Sequence, residues 1–437
     1  MNWRTRRGFL AGVGTAALVS TAGCGVFDRH ENGDSIRVPS NELETVLESP
    51  VPDVLRPAPV QPESETIEAG MARCSELIAT VPESISATEI PNEVVRQEVE
   101  QTRRDAVEAL DAVETEPDRF RRLDSIRSAR KHAREAAVGF EAVRGDPTAN
   151  IREERRETRT AIGMSLARVE YLGTDRRRTL LTAFRVEEFL TDARRRLTHG
   201  VQPNDPNALN LAAIAGDVEY ASATNELAEA LTERHAATVD DPIDFVDSAA
   251  AALESSMISL SRAELPDSRT PVSEVFGEEP ARRDLQYLAS ESVSAVRRWQ
   301  EQLSTELSEG RFASGLSRAI QLERDARALE TVVTRIDGDD IPAPETADAI
   351  RNEREAALKA ANSISTSASE PSLAGDSIAR LYEALGWTDA ELERYLDRDR
   401  EVNLSREYAR YAYLRARMEA FPDAIDTVRE RLDAYAW

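Results

Sequence analysis

Along most of the chain, apolar residues return every three or four positions. Val95, Val99, Ala106, Leu110 and Val113 step by four, seven, four and three, which puts them on one stripe of a helix. Phe120, Leu123, Ala133, Ala137 and Phe140 carry the pattern into the next segment. Near the other end, Leu404, Tyr408, Tyr411, Leu414, Met418 and Phe421 step by four, three, three, four and three. No comparable run alternates with period two, so the expected fold class is all-α. Asp146-Pro147, Asp205-Pro206 and Asp241-Pro242 read as helix starts. In each, Asp accepts from an orphan N–H and proline wastes none at the first helical position. Glu116-Pro117 and Glu279-Pro280 are weaker versions, and Gly145, Gly173 and Gly200 stand where helices should stop. Short turns between long helices predict antiparallel neighbours, in a bundle or an array of helical hairpins. Helical segments recur at about 30 residues without a residue-level repeat signature.

Residues 264–280 hold three prolines and read as a linker between two lobes, 65–263 and 281–437. Residues 337–346 form a second break, and 363–375 a polar loop. From 24 to 64 the chain carries Pro39, Pro50, Pro52, Pro57, Pro59 and Pro62 among acidic and polar residues. That density predicts an extended tether, with one helical turn over 41–47, reaching on the order of 100 Å at full stretch.

Composition changes the picture in one respect. Of 437 residues, 80 are acidic and 55 basic, for a formal charge of −25, and every basic residue but Lys131 and Lys359 is arginine. Such an acidic, lysine-poor chain looks like proteins of salt-loving archaea. In molar salt the Debye length is about 3 Å, so crowded carboxylates repel little while still holding water. The same balance excludes nucleic acid as an expected partner, since phosphate polymers are bound by cations.

The first residues run against this acidity. Arg4, Arg6 and Arg7 precede an uncharged apolar stretch from Phe9 to Val19, too short to span a bilayer, which needs roughly 20 residues. Thr5-Arg6-Arg7-Gly8-Phe9-Leu10 resembles the twin-arginine export motif, a receptor-read address. Thr21-Ala22-Gly23-Cys24 resembles a lipobox, with Thr21 where Leu, Val or Ile is usual. The resemblance implies a signal peptide over 1–23 using Arg6, Arg7, Phe9 and Leu10, recognition by the twin-arginine machinery, lipid attachment at Cys24, and residence at the outer face of the membrane.

Candidate chemistry is sparse. The histidines are His30, His132, His199 and His235, and none has glutamate three residues before it, as a dimetal helical bundle requires. His132 and Glu135 lie one turn apart, but Arg130, Lys131 and Arg134 disfavour a cation there. Nucleophile elbow, P-loop, dinucleotide and haem-attachment signatures are absent from the sequence. No metal and no cofactor is therefore expected. Cys74 shares a helix face with Met71 and Ile78 and reads as a small buried hydrophobe. Arg176-Arg177-Arg178 and Arg194-Arg195-Arg196 are local basic runs, read chiefly as partners of Glu187, Glu188 and Asp192 or as helix caps, with anion binding as the alternative. Tyr413 falls off the apolar stripe and, with Arg176, Arg177 and Arg178, is the partner-binding candidate. The expected function is a non-enzymatic, lipid-anchored surface scaffold or partner-binding module. The alternatives are a ligand-binding lipoprotein serving a transporter, and an enzyme with an unrecognised carboxylate or metal site.

Overall fold

The computed structural model describes residues 37–143, 148–199, 207–263, 265–364, 371–396 and 401–435. Among these residues the fold is all-α, as the periodicity predicts. Its helices are α1 (Ser64–Ala79), α2 (Glu93–Thr115), α3 (Arg119–Ala142), α4 (Thr148–Leu166), α5 (Arg176–His199) and α6 (Ala208–Ala236). Then follow α7 (Val246–Arg262), α8 (Val272–Val275), α9 (Arg283–Ser308), α10 (Phe312–Asp337), α11 (Ala347–Ile364), α12 (Leu373–Leu396) and α13 (Ser405–Asp433).

In the first group α6 is the central element, with α3, α4 and α5 packed along it and α1 and α2 laid against α3. In the second, α13 takes that place, touching α7, α9, α10, α11 and α12. Tyr408, Tyr411, Leu414, Met418 and Phe421 are all buried on it, so the stripe read from the sequence is a core stripe. Helices α5 and α10 join the two groups. One apolar core runs through α7–α13, whereas the core among α1–α6 is divided into several smaller clusters.

The helix starts differ in part from those the sequence predicts. Asn207 caps α6, its side chain accepting from the Asn210 N–H at 2.8 Å, and Asp205-Pro206 lies outside the described residues. Glu116 ends α2, and Asp118 caps α3 through the Arg121 N–H. Asp241 caps nothing: its φ is 58°, and the chain continues into β3 (Ile243–Asp244) before α7 starts. β3 pairs antiparallel with β2 (Leu172–Gly173), so Gly173 lies in a strand and not at a helix stop. A Cβ there would overlap Thr179 Oγ1, so only glycine lets β2 approach α5 so closely. Asp146-Pro147, Gly145 and Gly200 lie outside the described residues.

The segments read as a linker and a second break are both packed against the body. Within residues 265–280 lies α8, and Val275 and Phe276 are buried in the α7–α13 core. The break at 337–346 is pinned by Arg282, which donates to the carbonyls of Ile341 (2.9 Å) and Pro342 (3.1 Å).

The larger correction concerns the tether. From Arg37 onward the chain forms β1 (Arg37–Pro39), antiparallel to β4 (Glu401–Asn403), and then a 3-10 helix, Ser40–Val46, against α11 and α12. Val38, Leu43 and Val46 are buried in the main core, and Val60 in the α1–α6 core. Proline excludes regular helix but not burial. Residues 37–63 are thus a strap across the body. The Leu43→Ala variant should lose about 2–4 kcal/mol of stability through lost burial and a residual cavity. Urea or thermal unfolding at fixed salt measures this, and an unchanged midpoint would restore the free tether.

Candidate functional site

Helices α3 and α5 flank α6, and the gap between them widens into a cavity of about 420 Å³. Its far wall comes from the second group, through Glu306 of α9, Ser314 and Arg318 of α10 and Glu383 of α12. Leu55 and Arg56 of the strap close one side. A concavity of this size between two packed groups is the usual setting for a small ligand.

The sequence builds its wall by placing arginine within apolar stripes. On α5, Leu181, Arg185 and Phe189 step by four, so a guanidinium points where a leucine would pack. Arg185 is 1% exposed. On α3, Phe120, Leu123 and Arg127 share a face in the same way, and Arg127 is 6% exposed. Both lie against aromatic rings. Arg127 sits 4.6 Å from the Phe189 centroid, and Arg185 lies 5.7 Å from that of Phe120.

Beside the cavity is an ionic cluster in which Arg185 and Asp376 are enclosed and Arg56, Glu188 and Arg380 half-buried. Glu188 accepts from Arg56 Nη2 at 2.9 Å, from Arg185 Nη1 at 3.2 Å and from Arg380. Asp376 pairs with Arg56 Nε at 2.8 Å, Arg185 Nη2 at 2.7 Å and Arg380 Nε at 2.8 Å. Burial works against charge on both carboxylates, yet the surrounding guanidiniums outweigh it and hold them below the usual range. Three cations thus share two anions. Arg318 adds a fourth, with Glu306 4.0 Å away.

Arg127 Nε, Arg185 Nε, Arg318 Nε and Thr191 Oγ1 are buried and find no hydrogen-bond partner among the described residues. All four residues line this one cavity. Burial also pushes the pKa of Arg127, Arg185 and Arg318 down, because neighbouring carboxylates compensate too little. Arg56 and Arg380 go the other way: burial depresses them, but Glu188 and Asp376 more than restore the charge. An orphaned buried donor costs about 1–3 kcal/mol, and others lie away from the cavity, on Arg297, Arg324, Arg327 and Arg354.

The residues singled out by sequence are elsewhere. Tyr413 is no surface residue: it is 3% exposed, because α13 is covered on nearly every side. Arg176 is half-buried and tied to the end of α13, donating to the Leu432 carbonyl at 3.2 Å and pairing with Asp433. Arg177 and Arg178 are exposed at the start of α5, where their backbone N–H groups donate to Asp175. Asp192 does pair with Arg195 and Arg196, but Glu187 and Glu188 serve other partners. Cys74 is buried, and burial pushes its thiol up to about 11. His235 is buried too, its ring Nε2 3.0 Å from the Leu172 carbonyl, and burial lowers its pKa. Arg6, Arg7, Phe9, Leu10, Cys24 and His30 lie outside the described residues. Among the described residues no three His, Cys, Asp or Glu side chains gather for a metal, and no helix is long and apolar enough to cross a membrane.

Glu187, next to Glu188 on α5, faces away from the arginines. It accepts from Tyr171 Oη and from the Ser314 N–H (2.7 Å) at the start of α10. Burial pushes its carboxyl up to about 7, only partly offset by those donors. Between its ordinary value of 4.5 and about 7 the folded chain holds a proton that the unfolded chain releases. Its contribution to stability is therefore full below about pH 4.5, falls as pH rises, and levels off above about 7. Glu187→Gln should remove this fall, a difference on the order of 3 kcal/mol. Unfolding free energies of the two proteins across about pH 5–8 test it, since groups common to both cancel; parallel profiles would reject the assignment.

Residues 65–241 match a family model described as domain of unknown function DUF8262, and residues 243–430 match one described as domain of unknown function DUF8264. The two matches meet at 241–243, where Asp241 takes its positive φ and β3 starts, earlier than the linker read at 264–280. Comparison with curated proteins and with solved structures returns no match.

Proposed function

We propose that this chain is a non-enzymatic, lipid-anchored helical protein of the cell surface that binds a small molecule bearing an oxyanion in the arginine-lined cavity. The observation that supports it is the set of arginines, Arg56, Arg127, Arg185 and Arg318, that line one cavity. Guanidinium is the side chain best suited to carboxylate or phosphate, whose planar fork it matches. This reading favours the ligand-binding alternative over a scaffold. A partner-binding role keeps one supporting observation, Trp387, which is 69% exposed on α12. The segment 5–24 supports export and anchoring at Cys24, with the acidic surface suited to concentrated salt outside the cell.

At fixed chloride, small oxyanions such as sulfate, phosphate, benzoate and citrate should include one that raises the unfolding temperature. A site-specific ligand at about 100 times its Kd adds about 2.7 kcal/mol. Arg185→Gln and Arg318→Gln should each reduce the gain. Stabilisation by chloride or by polyamines alone would overturn the proposal. For the anchor, Cys24→Ser should release the protein into the medium, and retention of that variant in the membrane fraction would count against lipid attachment.

A further inference from the structure

We infer that Arg318 holds the anionic group of the ligand and that the ligand carries one negative charge, as a small monocarboxylate does. This rests on the oxyanion reading of the cavity and narrows it to a ligand class and a contact residue.

Six arginines line the cavity, and five of them are matched to carboxylates at close range. Arg56 has Asp376 at 2.8 Å and Glu188 at 2.9 Å, and Arg185 has Asp376 at 2.7 Å. Arg121 pairs with Asp53 at 3.1 Å, Arg195 with Asp192 at 2.6 Å, and Arg127 with Asp124. Arg318 differs. Among the described residues the carboxylate that approaches it is Glu306, with Oε1 4.0 Å from Nε. That is beyond hydrogen-bond distance, and the other oxygen of Glu306 is taken by Arg311.

Arg318 is also within reach. Its side chain is 17% exposed, against 1% for Arg185 and 8% for Arg127. Nη1 donates to Gln321 Oε1 at 3.3 Å and Nε is shut away, whereas Nη2 has no bond among the described residues and is not enclosed. Gln321 and the Trp299 ring, whose centroid is 5.5 Å from the guanidinium, fix the side chain, so little ordering remains to be done on binding. The lining also sets the charge of the ligand. Its carboxylates Asp118 and Glu383 join no ion pair among the described residues, and Glu383 is exposed. One unmatched cation thus shares the lining with two unmatched carboxylates. A first negative charge is attracted to Arg318, and a second finds no cation to receive it. Leu55, Phe120 and Phe189 supply the apolar part of the lining for the uncharged remainder.

The test is a calorimetric titration of the full chain at fixed chloride, in the salt where it is folded. Benzoate and pentanoate serve as monoacids, benzene-1,4-dicarboxylate and pentanedioate as their diacids, and sulfate as a compact dianion. A monoacid should bind, with its diacid no more than about threefold tighter and sulfate weaker. Arg318→Gln should weaken the monoacid at least about tenfold, and Arg318→Lys, which keeps the charge but not the planar fork, by less. Arg185→Gln should cost less than Arg318→Gln. A diacid more than about threefold tighter than its monoacid, or sulfate tighter than either, would overturn the single charge and leave the oxyanion reading standing. Unchanged monoacid affinity in either Arg318 variant would overturn the assignment to Arg318. Failure of every anion to bind the unsubstituted protein would overturn the oxyanion reading as well. The monoacid, diacid and sulfate comparison is made on that unsubstituted chain, so it decides the ligand's charge even where a glutamine variant does not fold.

Discussion

Three guanidiniums converging on two carboxylates, Asp376 buried and Glu188 half-buried, are the constraint on which the arrangement depends. Arg56 comes from the strap, Arg185 and Glu188 from α5, and Asp376 and Arg380 from α12. One ionic knot therefore ties a segment near the N-terminal side to both helical groups. Such a knot is poor evidence for stability in itself, since desolvating five charges costs about as much as their attraction returns. What it supplies is uniqueness: any slip of the strap or of α12 leaves a buried charge alone, which is far more costly than the pair is favourable. In concentrated salt this matters more. Exposed pairs such as Arg156–Glu153 are screened, whereas the enclosed Arg185–Asp376 pair keeps its strength.

The helices are legible in the sequence because their signal is local. Apolar spacing depends only on neighbours within two turns, and the stripe through Tyr408, Tyr411 and Met418 is buried as the spacing predicts. Periodicity identifies a stripe, however, not how many sides of a helix are covered. α13 has neighbours nearly all around, so Tyr413, off the stripe, is buried as well. The strap departs from the expected tether for a related reason. Proline density reports which backbone conformations are closed, while Val38, Leu43 and Val46 find their partners far along the chain in α11, α12 and β4.

The cavity is less legible still. Its chemistry comes from residues 56, 127, 185 and 318, which no motif joins and which meet only once α3, α5, α10 and the strap are assembled. One trace is present: Arg185 between Leu181 and Phe189, a charge where the stripe calls for an apolar side chain. In a chain with this many arginines that trace is easily taken for a solvated face. Local spacing does assign Asp192 to Arg195 and Arg196, a contact within one turn. It fails for Glu188, whose partners include Arg56 and Arg380 far away in sequence.

Glu187 and Glu188 show how narrowly α5 must be set. Successive side chains diverge by about 100° around a helix, so these neighbours face different surroundings. Glu188 meets the guanidiniums and is held ionised; Glu187 meets Tyr171 and the first turn of α10, where burial favours its proton. Rotating α5 by one residue would bring the proton-holding acid to the arginines and leave the ionised one without them. The same rotation would move Arg185 and Phe189 off the cavity wall. The orientation of α5 that keeps both acids in acceptable surroundings is therefore the one that presents Arg185 beside the Phe120 ring, and the wall of the cavity follows from the ionic knot behind it.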